Sequence, residues 1–271
     1  MTGPLISLLS DFGLRDPSAA IMRGVVLGIA PDARIVDISH EVRKFAIRDG
    51  ALLLWCALPY LPIGFHVAVV DPGVGTERLP IAIQSARGDV LVGPDNGLLP
   101  GAAARLGGIR AAHLLAAAAY RLPVVSSSFH GRDIFAPAAA HLARGVAIGE
   151  LGPALDPARL VPSPIAEPEI RAGELRSSVV YVDTFGNVKL AGLRADLEAA
   201  IGPVRPGDRL DLTVGQVGIA TTWQATFGEV AVGETLVYED SYGRLCLAAS
   251  QADAAAIHGI VEDSPVAVRR G

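Results

Sequence analysis

The stretch HVAVVDPGVGTER, residues 66–78, shows the pattern on which the prediction of the fold rests. His66–Val70 is short, mostly apolar and rich in valine, as in a buried β-strand. Asp71 and a Pro-Gly turn end the strand, and Arg78 follows. Asp71 is therefore either a turn former at a strand end or one half of a charged pair at a ligand site.

Short apolar strands recur through the first part of the chain. Four more are predicted, at Leu5–Ser10, Arg34–Ser39, Ile81–Ser85 and Val90–Val92. Helical spacing predicts helices at Ala19–Ile29, Ile47–Leu58, Leu98–Leu106 and Ala136–Leu142. Because strands alternate with helices, we predict a layered α/β domain with a mostly parallel central sheet.

A proline-rich segment separates this region from one of different texture. Five prolines fall within 16 residues, from Pro153 to Pro168, and proline removes backbone donors and fixes φ. Beyond them, SSVVYVD, RLDLTV, TLVYED and RLCLAAS are β-like and are separated by glycine-containing turns. We predict an α/β domain over residues 1–160, a linker over 161–172 and an all-β barrel or sandwich over 173–271.

Composition narrows the class of protein. Hydrophobic residues make up 51% and charged residues 19% of the 271, enough for a sizeable core. A net charge of −5 without a basic stripe argues against nucleic acid as a partner. No apolar run approaches the ~20 residues that span a bilayer, and the N-terminus does not resemble a signal peptide. With Cys56 and Cys246 in apolar contexts, we expect a reduced, cytoplasmic protein and no membrane partner.

Aspartates at strand ends are the first candidate site residues. Asp11, Asp71 and Asp95 each follow an apolar strand, and Asp37 closes another. Ligands of open α/β sheets bind outside the carboxyl ends of the strands, so these carboxylates could line one site. The alternative for each is a strand-end turn or a helix cap.

The segment SSFHGRDIFAPAAAHLARG, residues 127–145, supplies a second group. His130, Arg132 and Asp133 lie on a glycine-containing turn before an alanine-rich helix, where backbone N–H groups favour anions. A capped helix with a solvated Arg–Asp pair is the alternative. His141, within the helix, is expected to be a packed structural histidine.

Two turns of the C-terminal region also carry polar side chains. YVDTFGNVKL contains Asp183 and Asn187, and EDSYGRLCLA contains Ser241. Phe185 and Tyr242 lie in the same turns. Ordinary turn composition would equally account for these residues.

Metal and phosphate sites are not favoured. Several residues have side chains of the types that bind metal ions, but they are scattered along the sequence: Asp11, Asp37, His40, Asp71, Asp95, His130 and Asp133. The spacings HExxH, CxxC and EF-hand do not occur, and GVGTER lacks the Lys and Ser/Thr of a phosphate loop. We expect no metal and no cofactor.

Six ordered motifs resemble one family. SDFGLRD, IVDISHEV, VAVVDPGVGTER, GPDNGLL, SSFHGRDIFAPAAAHLA and DTFGNV are similar, in order and spacing, to motifs of the S-adenosyl-L-methionine (SAM) hydroxide adenosyltransferases, or SAM hydrolases. These enzymes are relatives of fluorinase and chlorinase. The resemblance covers essentially the whole chain. It implies a seven-stranded α/β N-terminal domain, a C-terminal β-barrel and a homotrimer whose active sites lie between the N-terminal domain of one subunit and the C-terminal domain of the next.

The resemblance also implies a reaction, in which SAM and water give adenosine and methionine without a metal or redox cofactor. Asp71, Arg78 and His130 match the family's Asp–Arg–His triad, which is associated with the attacking water. Whether Asp71 or His130 would accept the proton stays open at this point.

Further residues are expected to bind substrate by family position. Asp11 would hold the ribose hydroxyls, Asp183 and Ser241 the methionine end, and Asn187 would contact adenine. The remaining expected substrate-binding residues are Phe45, Asn96, Phe129 and Phe185.

The halide-binding positions depart from those of the halogenases. Asp71, Val74 and Gly131 stand where those relatives have a tyrosine, a threonine and a serine or smaller residue. A carboxylate would repel a halide, and the sequence has no room for the fluorinase's extra loop. Both points favour water as the nucleophile. A halogenase and a non-catalytic SAM- or adenosine-binding protein are the alternatives.

Overall fold

The computed structural model describes residues 3–271. The chain divides between Pro164 and Ile165 into two compact units. This division falls inside residues 161–172, the segment predicted as a linker.

A seven-stranded sheet forms the centre of the first unit. Its strands are β1 (Leu5–Ser10), β2 (Arg34–Ser39), β3 (Phe65–Val69), β4 (Pro80–Ser85), β5 (Val90–Pro94), β6 (Ile109–Leu114) and β7 (Ala154–Leu155). They lie in the order β2-β1-β3-β5-β4-β6-β7. Pairing is parallel from β2 to β5 and antiparallel from β5 to β7, so that five of the seven strands share one direction. The predicted α/β sheet is confirmed.

Helices cover both faces of this sheet. They are α1 (Ser18–Ile29), α2 (Ile47–Ala57), α3 (Pro100–Arg105) and α4 (Ala136–Ala143). Helices α1 and α4 pack in one hydrophobic cluster with β1 and β3, through side chains such as Met22 and Ile6. Gly50 of α2 lies against Leu9, Val70 and Leu98, which belong to the opposite face. Burial on both faces explains why β1, LISLLS, is buried along its whole length.

Two series of hydrogen-bonded side chains, each formed by a serine, a histidine and an aspartate, connect strands and loops of this unit. Nδ1 of His66 lies 2.7 Å from Ser7 Oγ, and its Nε2 lies 3.0 Å from Asp89. All three side chains are fully buried, so we infer that their hydrogen bonds stabilise the fold and take no part in ligand binding. Burial by itself would raise the pKa of Asp89, but hydrogen bonds from Arg87 and His66 hold that pKa well below its usual range. His40 bridges Ser10 and Asp37 in the same way.

The second unit is a closed barrel of seven strands. These are β9 (Glu174–Val182), β10 (Val188–Leu193), β11 (Arg209–Val214), β12 (Val217–Trp223), β13 (Thr235–Glu239), β14 (Arg244–Ala249) and β15 (Pro265–Arg270). The order is β10-β14-β13-β12-β11-β15-β9, and pairing of β9 with β10 closes the barrel. All neighbours are antiparallel except β12 and β13. The predicted barrel is confirmed.

Three elements of this unit were not expected from the sequence. A short strand, β8 (Glu169–Arg171), pairs with β9 and occupies part of the segment predicted as linker. It begins directly after Pro168, where backbone N–H donors become available again. Two helices, α5 (Arg194–Ile201) and α6 (Ala254–His258), accompany the strands of a domain predicted as all-β.

Across residues 3–271, no helix has the length and apolar character that a bilayer crossing requires.

Candidate active site

A pocket of about 340 Å³ opens at the carboxyl ends of β1 and β3. Its lining includes Asp11, Phe45, Asp71, Phe129 and His130, all of them candidates from the sequence. The aspartates reach the pocket because each follows a buried parallel strand. Their strands are neighbours in the sheet, which places Asp11 and Asp71 side by side although 60 positions separate them.

Asp71 and Arg78 form the ion pair that the sequence suggested. Arg78 donates from Nε to one carboxylate oxygen of Asp71 at 3.1 Å, and from Nη2 to the other. The two side chains are 5% and 7% exposed. A two-point contact of this kind fixes both planar groups, and its burial keeps bulk water away from it.

His130 joins the pair through the same guanidinium. Arg78 Nη2 lies 3.0 Å from His130 Nδ1 and donates to it, because an arginine side chain has no acceptor. Burial lowers the pKa of His130 below 6.5, and the Arg78 charge lowers it further, while Asp71 acts in the opposite direction. A neutral imidazole whose Nδ1 accepts a hydrogen bond carries its proton on Nε2.

Arg78 retains one donor that the protein does not use. Its Nη1 is buried, and within residues 3–271 no atom accepts a hydrogen bond from it. The guanidinium carbon lies 5.4 Å from the centre of the Phe135 ring, which is completely buried and packs against the cation. Leaving a buried charged donor unpaired is costly, so this atom is suited to a bound water or oxyanion.

Close packing of two loops brings the three residues together. Gly75, between Asp71 and Arg78, has φ +76°, and a Cβ there would lie 2.4 Å from the carbonyl oxygen of Ser127. Only glycine tolerates both the conformation and the approach. His130 then begins a π-helical turn, Gly131–Phe135, that continues into α4, a feature often found at functional sites.

Asp11 holds the opposite wall of the pocket. Its carboxylate accepts a hydrogen bond from the backbone N–H of Phe45 at 2.9 Å. Phe45 has φ +65°, which is uncommon for a bulky residue, and its side chain is 70% exposed. Such a conformation persists where surrounding contacts enforce it, often at ligand sites. Phe12 and Phe129 meet edge to face, with ring centres 5.6 Å apart, and close the wall.

The barrel carries a second pocket, of about 690 Å³. Asp183, Phe185, Asn187 and Ser241, the four C-terminal candidates, all line it. Asp183 organises the turn: it accepts from the backbone N–H groups of Phe185 and Asn187 at 2.9 and 3.0 Å, and from the Asn187 amide at 2.9 Å. The Phe185 ring remains 77% exposed over the pocket.

Sequence reasoning missed several lining residues. In the first pocket these are Phe12, Lys44 and Ser128, and in the barrel pocket Lys189, Phe227, Tyr238, Asp240, Gln251 and Ala252. Asn187 directly precedes β10 and Lys189 is the second residue of that strand, so the strand period of two could have placed both side chains on the same face.

Other candidates lie outside both pockets. Asn96, expected to bind substrate, uses its amide to donate to Val70 O at 2.9 Å and to accept from Leu98 N at 3.2 Å. It ties the ends of β3 and β5 together, and its contact with substrate stays a prediction. Asp95 accepts from Val161 N, and Asp37 pairs with Arg23 and His40.

The four strand-end aspartates therefore do not share one site, because only Asp11 and Asp71 reach the pocket. Asp133 is buried and accepts hydrogen bonds from Arg132 and the Ser126 N–H, whereas the Arg132 side chain is 36% exposed, so only the carboxylate of this pair is shielded from solvent. Within residues 3–271, no cluster of three or more His, Cys, Asp or Glu side chains is arranged to hold a metal ion.

Another groove of the barrel, of about 700 Å³, contains none of the candidates. It is wide, and Arg209, Asp211, Glu234 and His258 are among the residues that line it. Its size alone does not connect it with the chemistry of the two pockets described above.

Known proteins match the chain along both units. Residues 6–152 match the family model described as the SAM hydroxide adenosyltransferase N-terminal domain, and residues 177–267 match the corresponding C-terminal domain. An (R)-S-adenosyl-L-methionine hydrolase of Salinispora tropica is 43% identical over 270 residues, which covers 99% of this chain and 98% of that protein. A protein of the same name from Thermus thermophilus is 39% identical, covering 96% and 98%.

More distant matches include a halogenase and a solved structure. A fluorinase of Actinopolyspora mzabensis is 27% identical over 297 residues, covering 98% of this chain and 97% of that protein. The crystal structure of an uncharacterized conserved protein from Thermotoga maritima has a TM-score of 0.90 at 31% identity, and covers 98% of this chain and all of that one.

Proposed function

Because the chain belongs to the SAM hydroxide adenosyltransferase family, we propose that it is an enzyme that hydrolyses SAM to adenosine and L-methionine. The observation that carries this proposal is the buried cluster of Asp71, Arg78 and His130 at the edge of a pocket, with one Arg78 donor unused. Such a cluster can hold a single water molecule in one orientation.

The proposed step is an in-line displacement at C5′ of the ribose. Water oxygen forms the new bond to C5′, the C5′–S bond breaks, and its electron pair stays on sulfur, so methionine leaves as a neutral thioether. No general acid is needed for this leaving group. Fixing the water in line with the C5′–S bond can supply roughly 7–11 kcal/mol in favourable cases.

We propose that Asp71 accepts the proton of the attacking water and that His130 orients this water. Since Nδ1 of His130 accepts from Arg78, Nε2 carries a hydrogen and donates to the water. Each Asp71 oxygen accepts from Arg78 but has a second lone pair. The water oxygen becomes strongly acidic as it bonds to carbon, so a carboxylate is a sufficient base.

The substrate-binding roles follow the chemistry of each pocket. We propose that Asp11 accepts hydrogen bonds from the ribose hydroxyls while Phe45 and Phe129 contact the sugar and base. In the barrel pocket, Asp183 and Ser241 would hold the methionine end, and Asn187 and Phe185 the adenine. The reaction proposed here requires neither a metal nor a redox cofactor.

We propose further that the chain acts as a homotrimer in which each first-unit pocket is completed by the barrel pocket of another copy. The supporting observation is that Phe45 and Phe185 present large apolar rings that are 70% and 77% exposed. Sedimentation should give three times the 28.0 kDa of one chain. Co-expressed Asp71→Ala and Asn187→Ala chains should regain activity in mixed trimers. Mixed trimers without activity would contradict a shared site.

A cytoplasmic location is part of the proposal. Cys56 and Cys246 are both buried, and neither forms a disulfide with another residue in 3–271; burial raises the pKa of the Cys246 thiol to about 12. The raised pKa keeps the Cys246 thiol protonated, and buried cysteines outside a disulfide are usual in a reducing compartment.

The halogenase alternative is weaker. Asp71 places a carboxylate where a halide would have to bind, and two nitrogens of Arg78, the nearby cation, donate to that carboxylate. At Gly131, a Cβ would lie 3.2 Å from Met22 Sδ and 3.3 Å from Phe12, so a serine there requires both side chains to shift. Incubation with SAM and fluoride or chloride is expected to yield no 5′-halo nucleoside.

Hydrolysis in ¹⁸O-labelled water tests the proposed function directly. We expect chromatography and mass spectrometry to show adenosine with one ¹⁸O atom in its 5′-hydroxyl, together with unlabelled methionine. The names of the relatives specify the (R) configuration, so the (R) and (S) sulfonium epimers should be supplied separately. SAM that binds and is recovered unchanged would favour the binding-protein alternative. Unlabelled adenosine would rule out attack by water at C5′.

A further inference from the structure

Lysine is rare in this protein, and both lysines lie at pockets. The sequence contains 23 lysine and arginine residues, of which only Lys44 and Lys189 are lysines. Lys44 lines the first-unit pocket and Lys189 the barrel pocket. Lys189 is 8% exposed, and a lysine is rarely buried to that extent unless its ammonium group has a defined partner.

Strand geometry directs Lys189 away from the barrel core. Its neighbours Val188 and Leu190 are fully buried members of the barrel's hydrophobic cluster, and side chains alternate along a strand. Lys189 pairs in register with Cys246 on β14. It therefore lies on the outer face of the barrel, where the pocket opens.

Asp240 and Tyr242 hold the ammonium group in one position. Lys189 Nζ donates to Asp240 Oδ2 at 2.5 Å and lies 5.3 Å from the centre of the Tyr242 ring. Asp240 is itself anchored, since its Oδ1 accepts from the backbone N–H groups of Tyr242 and Arg244 at 2.9 Å each. An ammonium group carries three donors, so it can bind a ligand oxygen in addition to Asp240.

The pocket thus presents both signs of charge to a ligand. Among the described side chains that line it, Lys189 alone is basic, and Asp183 and Asp240 are acidic. The zwitterionic end of an amino acid needs a carboxylate for its ammonium and a cation for its carboxylate. Asp183 and Ser241 by themselves supply no positive charge.

We infer that Lys189 binds the α-carboxylate of the methionine moiety and thereby makes the enzyme select sulfonium nucleosides that carry a carboxylate. This inference rests on the proposed function, because it assigns one end of the same substrate. The competing explanation is an ion pair that only stabilises the turn from Asp240 to Arg244. Removing such a pair would damage the pocket for every ligand, irrespective of the ligand's charge.

Two substrates separate these explanations. The Lys189→Met and Lys189→Arg variants should be compared with wild type on SAM and on decarboxylated SAM, by calorimetric affinity and by kcat/KM. Arg269→Met is the matched control, because it removes a positive charge from an exposed position on β15.

Lys189→Met should weaken SAM binding and kcat/KM by about ten- to a hundredfold, the usual effect of losing a charge-assisted hydrogen bond. Affinity for decarboxylated SAM should change by less than about threefold, so that the wild-type preference for SAM disappears. Lys189→Arg should restore part of that preference. Equal losses on both compounds, or no loss on SAM, would overturn the inference.

A wrong proposal of hydrolysis and a wrong role for Lys189 would give different experimental results. Wild-type protein that binds SAM and releases no adenosine would contradict hydrolysis, but the two calorimetric affinities would still decide the role of Lys189. A wild type with equal affinity for SAM and its decarboxylated analogue would overturn the inference even if hydrolysis were confirmed.

Discussion

Nη2 of Arg78 lies 3.0 Å from Nδ1 of His130, and Nε and Nη2 of the same guanidinium also bind Asp71. Because the guanidinium can only donate, this hydrogen bond requires a lone pair on Nδ1 and so favours the neutral form of His130 over the imidazolium. Burial and Arg78 both lower the pKa of His130, and the contact with Arg78 places the proton of the neutral ring on Nε2. The orienting role proposed for His130 depends on this contact.

Removal of the side chain of either Asp71 or His130, which both contact Arg78, should abolish most of the activity. Asp71→Ala and His130→Ala are expected to reduce kcat by about 10²–10⁴-fold, the usual contribution of a positioned proton-transfer group, without unfolding the protein. Chromatography of released adenosine measures the effect, and circular dichroism checks the fold. Asp32→Ala and His141→Ala change the same residue types outside both pockets and should remain active. Near-wild-type release by both pocket variants would show that the triad is misassigned.

Acid should inactivate the enzyme through His130. Burial and Arg78 lower its pKa below 6.5, so the neutral form predominates at pH 7. Between the lowered pKa and 6.5 the unfolded chain binds more protons than the native one, so the stability contribution is complete above 6.5 and declines as the pH falls. We expect kcat/KM to be level above pH 6.5 and to decrease below it. An acid limb with a midpoint above pH 7 would be incompatible with this assignment.

Asp11 should act on binding more than on the chemical step. Its carboxylate accepts from Phe45 N and faces the pocket, so Asp11→Ala removes the proposed ribose acceptor and a contact that holds Phe45. Affinity for SAM and for adenosine should fall by about ten- to a hundredfold. Calorimetry with both ligands measures this, with Asp32→Ala as the control. Unchanged adenosine affinity would remove Asp11 from the ribose role.

Gly75 offers a test of how the triad is assembled. Gly75→Ala adds a Cβ 2.4 Å from the Ser127 carbonyl and should separate the loops that carry Arg78 and His130, so that activity falls much more than stability. Gly145→Ala is the matched control, since Gly145 also has positive φ, +96°, but no atom within 4 Å of the added Cβ. Both variants carry the backbone cost of about 1 kcal/mol. Equal activity in the two would argue against loop packing as the cause.

The buried hydrogen bonds that join Ser7, His66 and Asp89 should contribute to stability and not to activity. Asp89→Ala would remove the carboxylate that Arg87 and His66 share and should lower the free energy of unfolding by about 3–5 kcal/mol. Because the pKa of Asp89 is lowered, its contribution is present above 3.8 and is lost as the pH falls towards that lowered value. Urea unfolding measures both effects, with Asp32→Ala for comparison. A variant of wild-type stability would show that this ion pair contributes nothing.

The sequence by itself determined the layered α/β unit and the barrel. Apolar runs of strand length, helical periodicity and glycine-containing turns are local signals, and they predicted strands such as β1 and β2 with the bounds found in the structure. Asp71 and Arg78 were also a foreseeable pair, because seven positions within one loop separate them. Strand β6, IRAAHL, lacks such a signal because an arginine, two alanines and a histidine separate its two large apolar residues, and it was not predicted.

Only the tertiary structure decided which polar side chains share a pocket. His130 contacts Arg78 across 52 positions of sequence, and Lys189 contacts Asp240 across 51. Asp95 and Asn96 belong to the motif GPDNGLL, but their side chains bind backbone groups outside both pockets. These outcomes depend on which strands become neighbours and how closely two loops approach. Strand pairing and loop packing are set by the burial of many side chains at once, so no local pattern of residues specifies them.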